Sequence, residues 1–266
     1  MIKLNKPSDC CGCTACASVC SHNAITMKPD ALGFLYPVVD KNKCVDCGLC
    51  EAICPFNEHY DTSLNFEVPI VYGARHKDIN EVMQSRSGAV FVAISDFILD
   101  SGGVVYGVCY SSQFKIIHKR ANNKVERDEF RGSKYVQSDL IGVFRNIKND
   151  LKSGLRVLFV GTGCQVAGLK NFVGAKLGRN LFLVDIVCRG VVSPNIWRDY
   201  ISYLESQRQK KIVSFNFRDK ITFGWSAHRE TYKYEGKDET MVSNYHLYNK
   251  IYFRKSCSSC HILGLT

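Results

Sequence analysis

"CVDCGLCEAICP", residues 44–55, spaces four cysteines as C-x2-C-x2-C-x3-C and closes on a proline. "CCGCTACASVCS", residues 10–21, carries the same spacing 34 residues earlier, so Cys10, Cys13, Cys16 and Cys20 match Cys44, Cys47, Cys50 and Cys54. A unit this short, present twice, is no solenoid; its logic is ligation. Three thiolates on one tight loop can occupy three corners of a cubane iron–sulfur cluster, while the fourth, on the helix that follows, points the other way.

In the bacterial ferredoxin pattern that fourth Cys serves the other cluster, so the halves exchange ligands. The spacing therefore predicts one 4Fe-4S cluster on Cys10, Cys13, Cys16 and Cys54, and a second on Cys44, Cys47, Cys50 and Cys20. Zinc takes its ligands as two separated pairs, which would leave a third Cys surplus in each run. A disulfide framework needs an oxidising compartment, and "MIKLNKPSDC" has neither the apolar run nor the cleavage site of a signal peptide. A cytoplasmic location is the expectation. Ser21 follows Cys20 where Pro55 follows Cys54, a departure that removes no ligand. Residues 1–57 resemble a bacterial two-cluster ferredoxin domain, an α+β ferredoxin-like fold.

The 266 residues leave room for a medium-sized second domain with its own core. No stretch approaches 18 uninterrupted apolar residues, so no membrane span is expected. Net charge is +10; residues 1–60 carry five Lys and six Asp or Glu, so the basic balance lies in the remainder. Its basic residues are scattered among acids, without the arginine-rich or aromatic-interleaved look of a nucleic-acid platform. A solvated face is the default reading and phosphate-bearing cofactors the next.

Beyond a polar linker at 58–69, the pattern predicts a strand at 70–76, a helix at 85–103, strands at 104–110 and 114–120, and a helix at 139–154. A strand at 155–161, a helix at 162–174, a strand at 181–187 and a helix at 193–209 follow, then strand pieces in 211–220, 228–236 and 239–248. Such alternation predicts an α/β domain over 70–266 with a largely parallel sheet, whose ligands collect beyond the carboxyl ends of the strands.

Six cysteines lie outside the two runs. Cys11 and Cys109 read as bystander thiols. Cys164 and Cys188 each follow a strand, and Cys257 and Cys260 form a C-x2-C in "RKSCSSC". These four can converge into a four-thiolate site, for which the sequence leaves zinc and iron–sulfur open. "GTGCQVAG" is a weak dinucleotide fingerprint, because Val166 stands where a third glycine belongs. His228 is a candidate for proton movement, though a lone histidine is more often structural.

The order of the motifs carries a resemblance. The cysteine runs are followed by "SRSGAV" (85–90), "FRGSKYVQS" (130–138), "GTGCQVAGLK" (161–170), "DIVCRGVVSP" (185–194), "FRDKITFGW" (217–225) and "RKSCSSC" (254–260). The chain resembles the coenzyme F420 hydrogenase/dehydrogenase beta-subunit family, including members with an N-terminal ferredoxin domain. The resemblance implies an iron–sulfur flavoprotein oxidoreductase, passing electrons between a hydride-type donor or acceptor and a redox partner protein or small carrier. It implies a third 4Fe-4S cluster on Cys164, Cys188, Cys257 and Cys260. It also implies an FAD pocket with Ser87, Gly88, Arg131, Gly132, Ser133, Lys134 and Tyr135, beside Gly161 and Thr162. Gly163 stands where relatives usually have proline and Arg189 where they often have histidine, and relatives continue well beyond the last C-x2-C. A pure electron-transfer protein without flavin and a zinc-stabilised interaction module are the rival classes.

Overall fold

The computed structural model describes residues 1–56, 67–236, 239–243, 249–260 and 262. Most of the expected linker, and the last part of the 239–248 strand piece, lie outside the described residues. The first part is two cysteine loops around a hairpin. The loop of Cys10–Cys13 leads into α1 (Ala15–Val19), and the antiparallel strands β1 (Ile25–Pro29) and β2 (Leu35–Val39) follow. The second loop then enters α2 (Leu49–Ala52). Metal binding supplies folding energy that so few apolar side chains cannot.

The second part opens differently from the expectation. Residues 70–76 form no strand: Ile70, Val71 and Tyr72 are 62%, 87% and 80% exposed, with no neighbouring strand to pair with. The helix expected from Ser85 is instead α3 (Ile79–Gln84), capped by Asp78, then a turn, then α4 (Val90–Asp100). The turn breaks the helix because Ser87 and Ala89 adopt left-handed φ of 47° and 57°. Between them Gly88 packs so closely that a Cβ would stand 2.3 Å from the Ala74 carbonyl oxygen.

From there pattern and structure run together: β3 (Val104–Tyr110), β4 (Ile116–Ala121), α5 (Lys124–Asp128), α6 (Val143–Lys152), β5 (Val157–Thr162), α7 (Gly163–Gly178), β6 (Leu181–Ile186) and α8 (Pro194–Arg208). The central sheet has the order β4-β3-β5-β6. β3, β5 and β6 are parallel, and β4 returns antiparallel at the edge. The sheet is therefore mixed, with mostly parallel strands. A separate antiparallel sheet joins β7 (Ile212–Asn216), β8 (Thr231–Tyr234) and β9 (Met241–Val242), with the short α9 (Lys220–Phe223) between its first two strands.

One core serves both parts of the chain. Phe144, Ile147 and Leu151 of α6 pack with Val157 and Phe159 of β5, Leu169 and Phe172 of α7, and Cys11, Cys13 and Ala15 from the first cysteine loop. Each fully buried large apolar side chain contributes about 1.5–3 kcal/mol. Polar contacts close the same seam. Arg145 of α6 donates to the carbonyl oxygens of Ala17, Ser18 and Cys20, so a cation meets the carboxyl end of α1. Asn171 donates to Ile53 O and Asn195 to Ala31 O. An aromatic cluster of Trp197, Phe215, Phe217 and Tyr232 fixes α8 to the second sheet.

Candidate functional site

Every cysteine is a free thiol, and thirteen of the fourteen line three cavities, Cys11 lining two of them. Cys10, Cys13, Cys16 and Cys54 line one, with Cys11 and Pro55 beside them. Cys20, Cys44, Cys47 and Cys50 line a second, at which Cys47 is exposed. Cys164, Cys188, Cys257 and Cys260 line a third, of about 330 Å³, with Thr162, Arg189 and Arg254. Each expected set of four is thus brought together, including the exchange of Cys20 and Cys54 between the halves.

The third group assembles from strand ends. Cys164 lies in the first turn of α7, directly after β5, and Cys188 two residues beyond β6. The segment 252–254 is laced alongside: Val192 bridges Phe253, and Arg254 N–H donates to Val191 O at 3.2 Å. That lacing delivers Cys257 and Cys260, in and after the 3-10 turn Lys255–Ser259. Gly190, at φ 138°, lets the chain pass under the Phe253 ring, where a Cβ would be 2.2 Å from the ring.

The donor chemistry suits metal-bound thiolates. Backbone N–H groups donate to sulfur in all three groups: Gly12 to Cys10 Sγ at 3.3 Å, Ala24 to Cys20 Sγ at 3.3 Å, Ile2 to Cys50 Sγ at 3.1 Å and Gly190 to Cys188 Sγ at 3.4 Å. Burial first, then the neighbouring thiols Cys10 and Cys54, push Cys16 up to about 12. Burial pushes Cys257 up to about 11. A bound metal would hold such thiols deprotonated. Among the described residues no three Cys, His, Asp or Glu side chains converge on one ion. Sulfurs on a single tetrahedral zinc would be about 3.8 Å apart, as Zn–S bonds of about 2.3 Å require; thiolates on a cubane stand farther apart.

Cys11, expected as a bystander, is buried and lines the cavities of both the first and the third groups. Cys109 is buried within β3, where burial raises its thiol and leaves it inert. Behind Cys164 runs a closed hydrogen-bond chain. Thr162 N–H donates to Gln165 Oε1, Gln165 Nε2 to Ser138 Oγ, and Ser138 to His118 Nδ1 at 2.9 Å. The remaining ring nitrogen of His118 donates to Val160 O at 3.1 Å, which assigns the neutral Nε2–H tautomer. Burial pushes His118 down to about 4.

The residues expected around a flavin divide. Arg131, Gly132, Ser133 and Lys134 line a cavity of about 190 Å³. Arg86, Arg218 and Lys220, from two further segments, join them there. Ser87 and Gly88 lie in the adjoining turn, and Tyr135 packs edge-on against Phe217. Gly161 and Thr162 are elsewhere: they end β5, and Thr162 lines the cavity of Cys164. His228 stands on the surface, 3.5 Å from Arg218. The cavity is rich in cations, of which Arg131 pairs with Glu81 and Asp128. Among the described residues, buried Ser85 Oγ, Arg131 Nε and Arg218 Nε find no hydrogen-bond partner. Burial and the neighbouring Arg218 push Arg86 down, and burial pushes Lys134 down to about 8. The largest cavity, about 810 Å³ between the β1–β2 hairpin and α8, holds none of the expected site residues.

Among the described residues no helix is long and apolar enough to cross a membrane. Residues 154–263 match the family described as the C terminus of the beta subunit of coenzyme F420 hydrogenase/dehydrogenase, and residues 9–57 match the 4Fe-4S dicluster domain. No curated protein is similar enough to count as a match. Among solved structures, a chain of the F420-reducing [NiFe] hydrogenase complex from Methanosarcina barkeri is similar at 14% identity and a TM-score of 0.41. That similarity covers 63% of this chain and 57% of the other, so the chain spans little more than half of that relative's length. Within this chain, residues 9–57 are thus similar to a 4Fe-4S dicluster domain, which supports bound iron–sulfur clusters, and residues 154–263 are similar to the C terminus of the coenzyme F420 hydrogenase/dehydrogenase beta subunit.

Proposed function

We propose that the chain is a cytoplasmic iron–sulfur flavoprotein oxidoreductase that passes electrons between a hydride-type donor or acceptor and a redox partner. It would hold two 4Fe-4S clusters in residues 1–57, a third on Cys164, Cys188, Cys257 and Cys260, and one FAD. Flavin exchanges a hydride as two electrons and releases them singly, which suits one-electron clusters. The observation that carries the reading is the adjacency of the cysteine groups. Cys11 lines the cavities of both the first and the third groups, and Ile2, beside the first group, donates its N–H to Cys50 of the second. The exposed Cys47 gives the second group the face on which a partner would dock.

Arg86, Arg131, Lys134, Arg218 and Lys220 would hold the flavin phosphates, with Arg218 Nε and Ser85 Oγ free to bond them. Lys134 lines the basic cavity and Gln137, three residues on, lines the cavity of the third group, which supports a short path between them. A second reading, an electron carrier without flavin, is favoured by the small volume of the basic cavity, below the usual ligand range of about 300–1,000 Å³. FAD titration of the anaerobically isolated chain, followed by fluorescence, separates the two. The flavoprotein reading expects saturable binding that weakens about tenfold in Arg218→Gln, since a charge-assisted hydrogen bond is worth about 1.5–3 kcal/mol. Absence of binding favours the carrier; saturable binding that the variant leaves unchanged would place the flavin outside the basic cavity.

A further inference from the structure

Arg254 is among the largest fully buried side chains, 1% exposed. Its Nε donates to Cys10 O at 2.7 Å, Nη1 to Gln137 Oε1 at 2.9 Å and Nη2 to Leu35 O at 2.8 Å, while Nη2 also lies 3.5 Å from Cys10 Sγ. Its guanidinium lies 4.2 Å from the centre of the Tyr36 ring. Among the described residues no carboxylate pairs with it; every partner is a carbonyl, an amide, a ring or a sulfur. A buried charge left without a counter-charge costs several kcal/mol, so native proteins pair it. The same side chain also lines the cavity of Cys164, Cys188, Cys257 and Cys260, three residues before Cys257. It therefore stands between the first and third cysteine groups, touching a ligand of one and facing the ligands of the other.

We infer that Arg254 is the shared counter-cation of the first and third iron–sulfur sites. The inference rests on the cluster reading above. Four thiolates outweigh the positive charge of a cubane core, so each loaded site is a net anion and each reduction adds a negative charge. A fixed cation between two such sites favours the reduced form of both, and its hydrogen bond toward Cys10 Sγ acts in the same direction. Arg254 is thus a positioning and tuning residue that makes reduction of the two flanking sites easier. The second group, Cys20, Cys44, Cys47 and Cys50, shares no cavity or hydrogen bond with it among the described residues and serves as an internal reference.

The test is an EPR-monitored redox titration of the full chain, with clusters reconstituted anaerobically and the second-group signal assigned through Cys47→Ser. Arg254→Gln is expected to lower the reduced-to-oxidised ratio of the first and third sites at least tenfold at a fixed potential, about 59 mV for one electron. The second site should shift clearly less, and Arg254→Lys should keep most of the wild-type value. Gln137→Glu leaves the guanidinium and its contacts to Cys10 and Leu35 in place but supplies a competing carboxylate; it too should lower the two flanking sites. This variant decides the matter if Arg254→Gln does not fold. Unmoved potentials in Gln137→Glu and in any folded Arg254→Gln, or equal shifts at all three sites, overturn the inference while leaving the cluster reading intact. A wild-type chain that yields no cluster signals overturns both.

Discussion

Close approach makes single residues decisive at the seam between the cysteine loops and α7. Gly168 faces Cys13, and a Cβ there would stand 2.7 Å from Cys13 Sγ. Gly168→Ala should cost about 1–3 kcal/mol by overpacking and displace a ligand of the first group; the check is urea unfolding together with iron per chain, and an unaltered iron content would contradict it. His118 supplies a pH dependence. Its folded pKa, about 4, lies below the ordinary 6.5, so between these values the unfolded chain holds a proton that the folded chain lacks. Stability from this group is therefore complete above pH 6.5 and falls by about 3 kcal/mol as the pH drops to 4. Urea midpoints of the metal-free chain at pH 7 and pH 4.5 should diverge more in the wild type than in His118→Asn. Equal divergence would refute the assignment. The grouping of the cysteines was legible from spacing because each run is local. The position of Cys11 at two cavities was not, because it arises only where two distant loops meet.

Elements were legible where period and burial agreed. The buried stripe of Val143, Phe144, Ile147 and Leu151 announces α6, and the apolar run before "GTGCQ" announces β5. The run "IVYGARH" has the same composition as a strand, yet no strand lies beside it, and tertiary context overrides propensity. The basic cavity escaped the sequence for a related reason. Arg86, Arg131 and Arg218 are solitary cations along the chain and become neighbours only when α3, the 130–138 segment and β7 assemble. Arg145 is the element-scale hinge of the docking, since one α6 side chain satisfies three carbonyls at the end of α1. Arg145→Ala should lower stability by about 0.5–1.5 kcal/mol, because these hydrogen bonds lie exposed to solvent. Limited proteolysis should then release a fragment near residue 57; a variant as resistant as the wild type would show that the seam holds without it.

At the scale of the molecule, the sequence reads as a ferredoxin-like piece joined to an α/β piece. The structure instead packs them around one core in which Cys11 and Cys13 are members. The three cysteine groups then lie close together: Cys11 lines the cavities of both the Cys164 and the Cys10 groups, and Ile2, at the Cys10 group, donates its N–H to Cys50 of the Cys20 group. The proposed electron path would run along them. Its most direct test is the content of iron, sulfide, zinc and flavin per chain in protein purified without oxygen. Three cubane clusters and one FAD predict about twelve irons with matching sulfide, one flavin and no zinc. About eight irons with zinc in the second part, or no flavin, would contradict it.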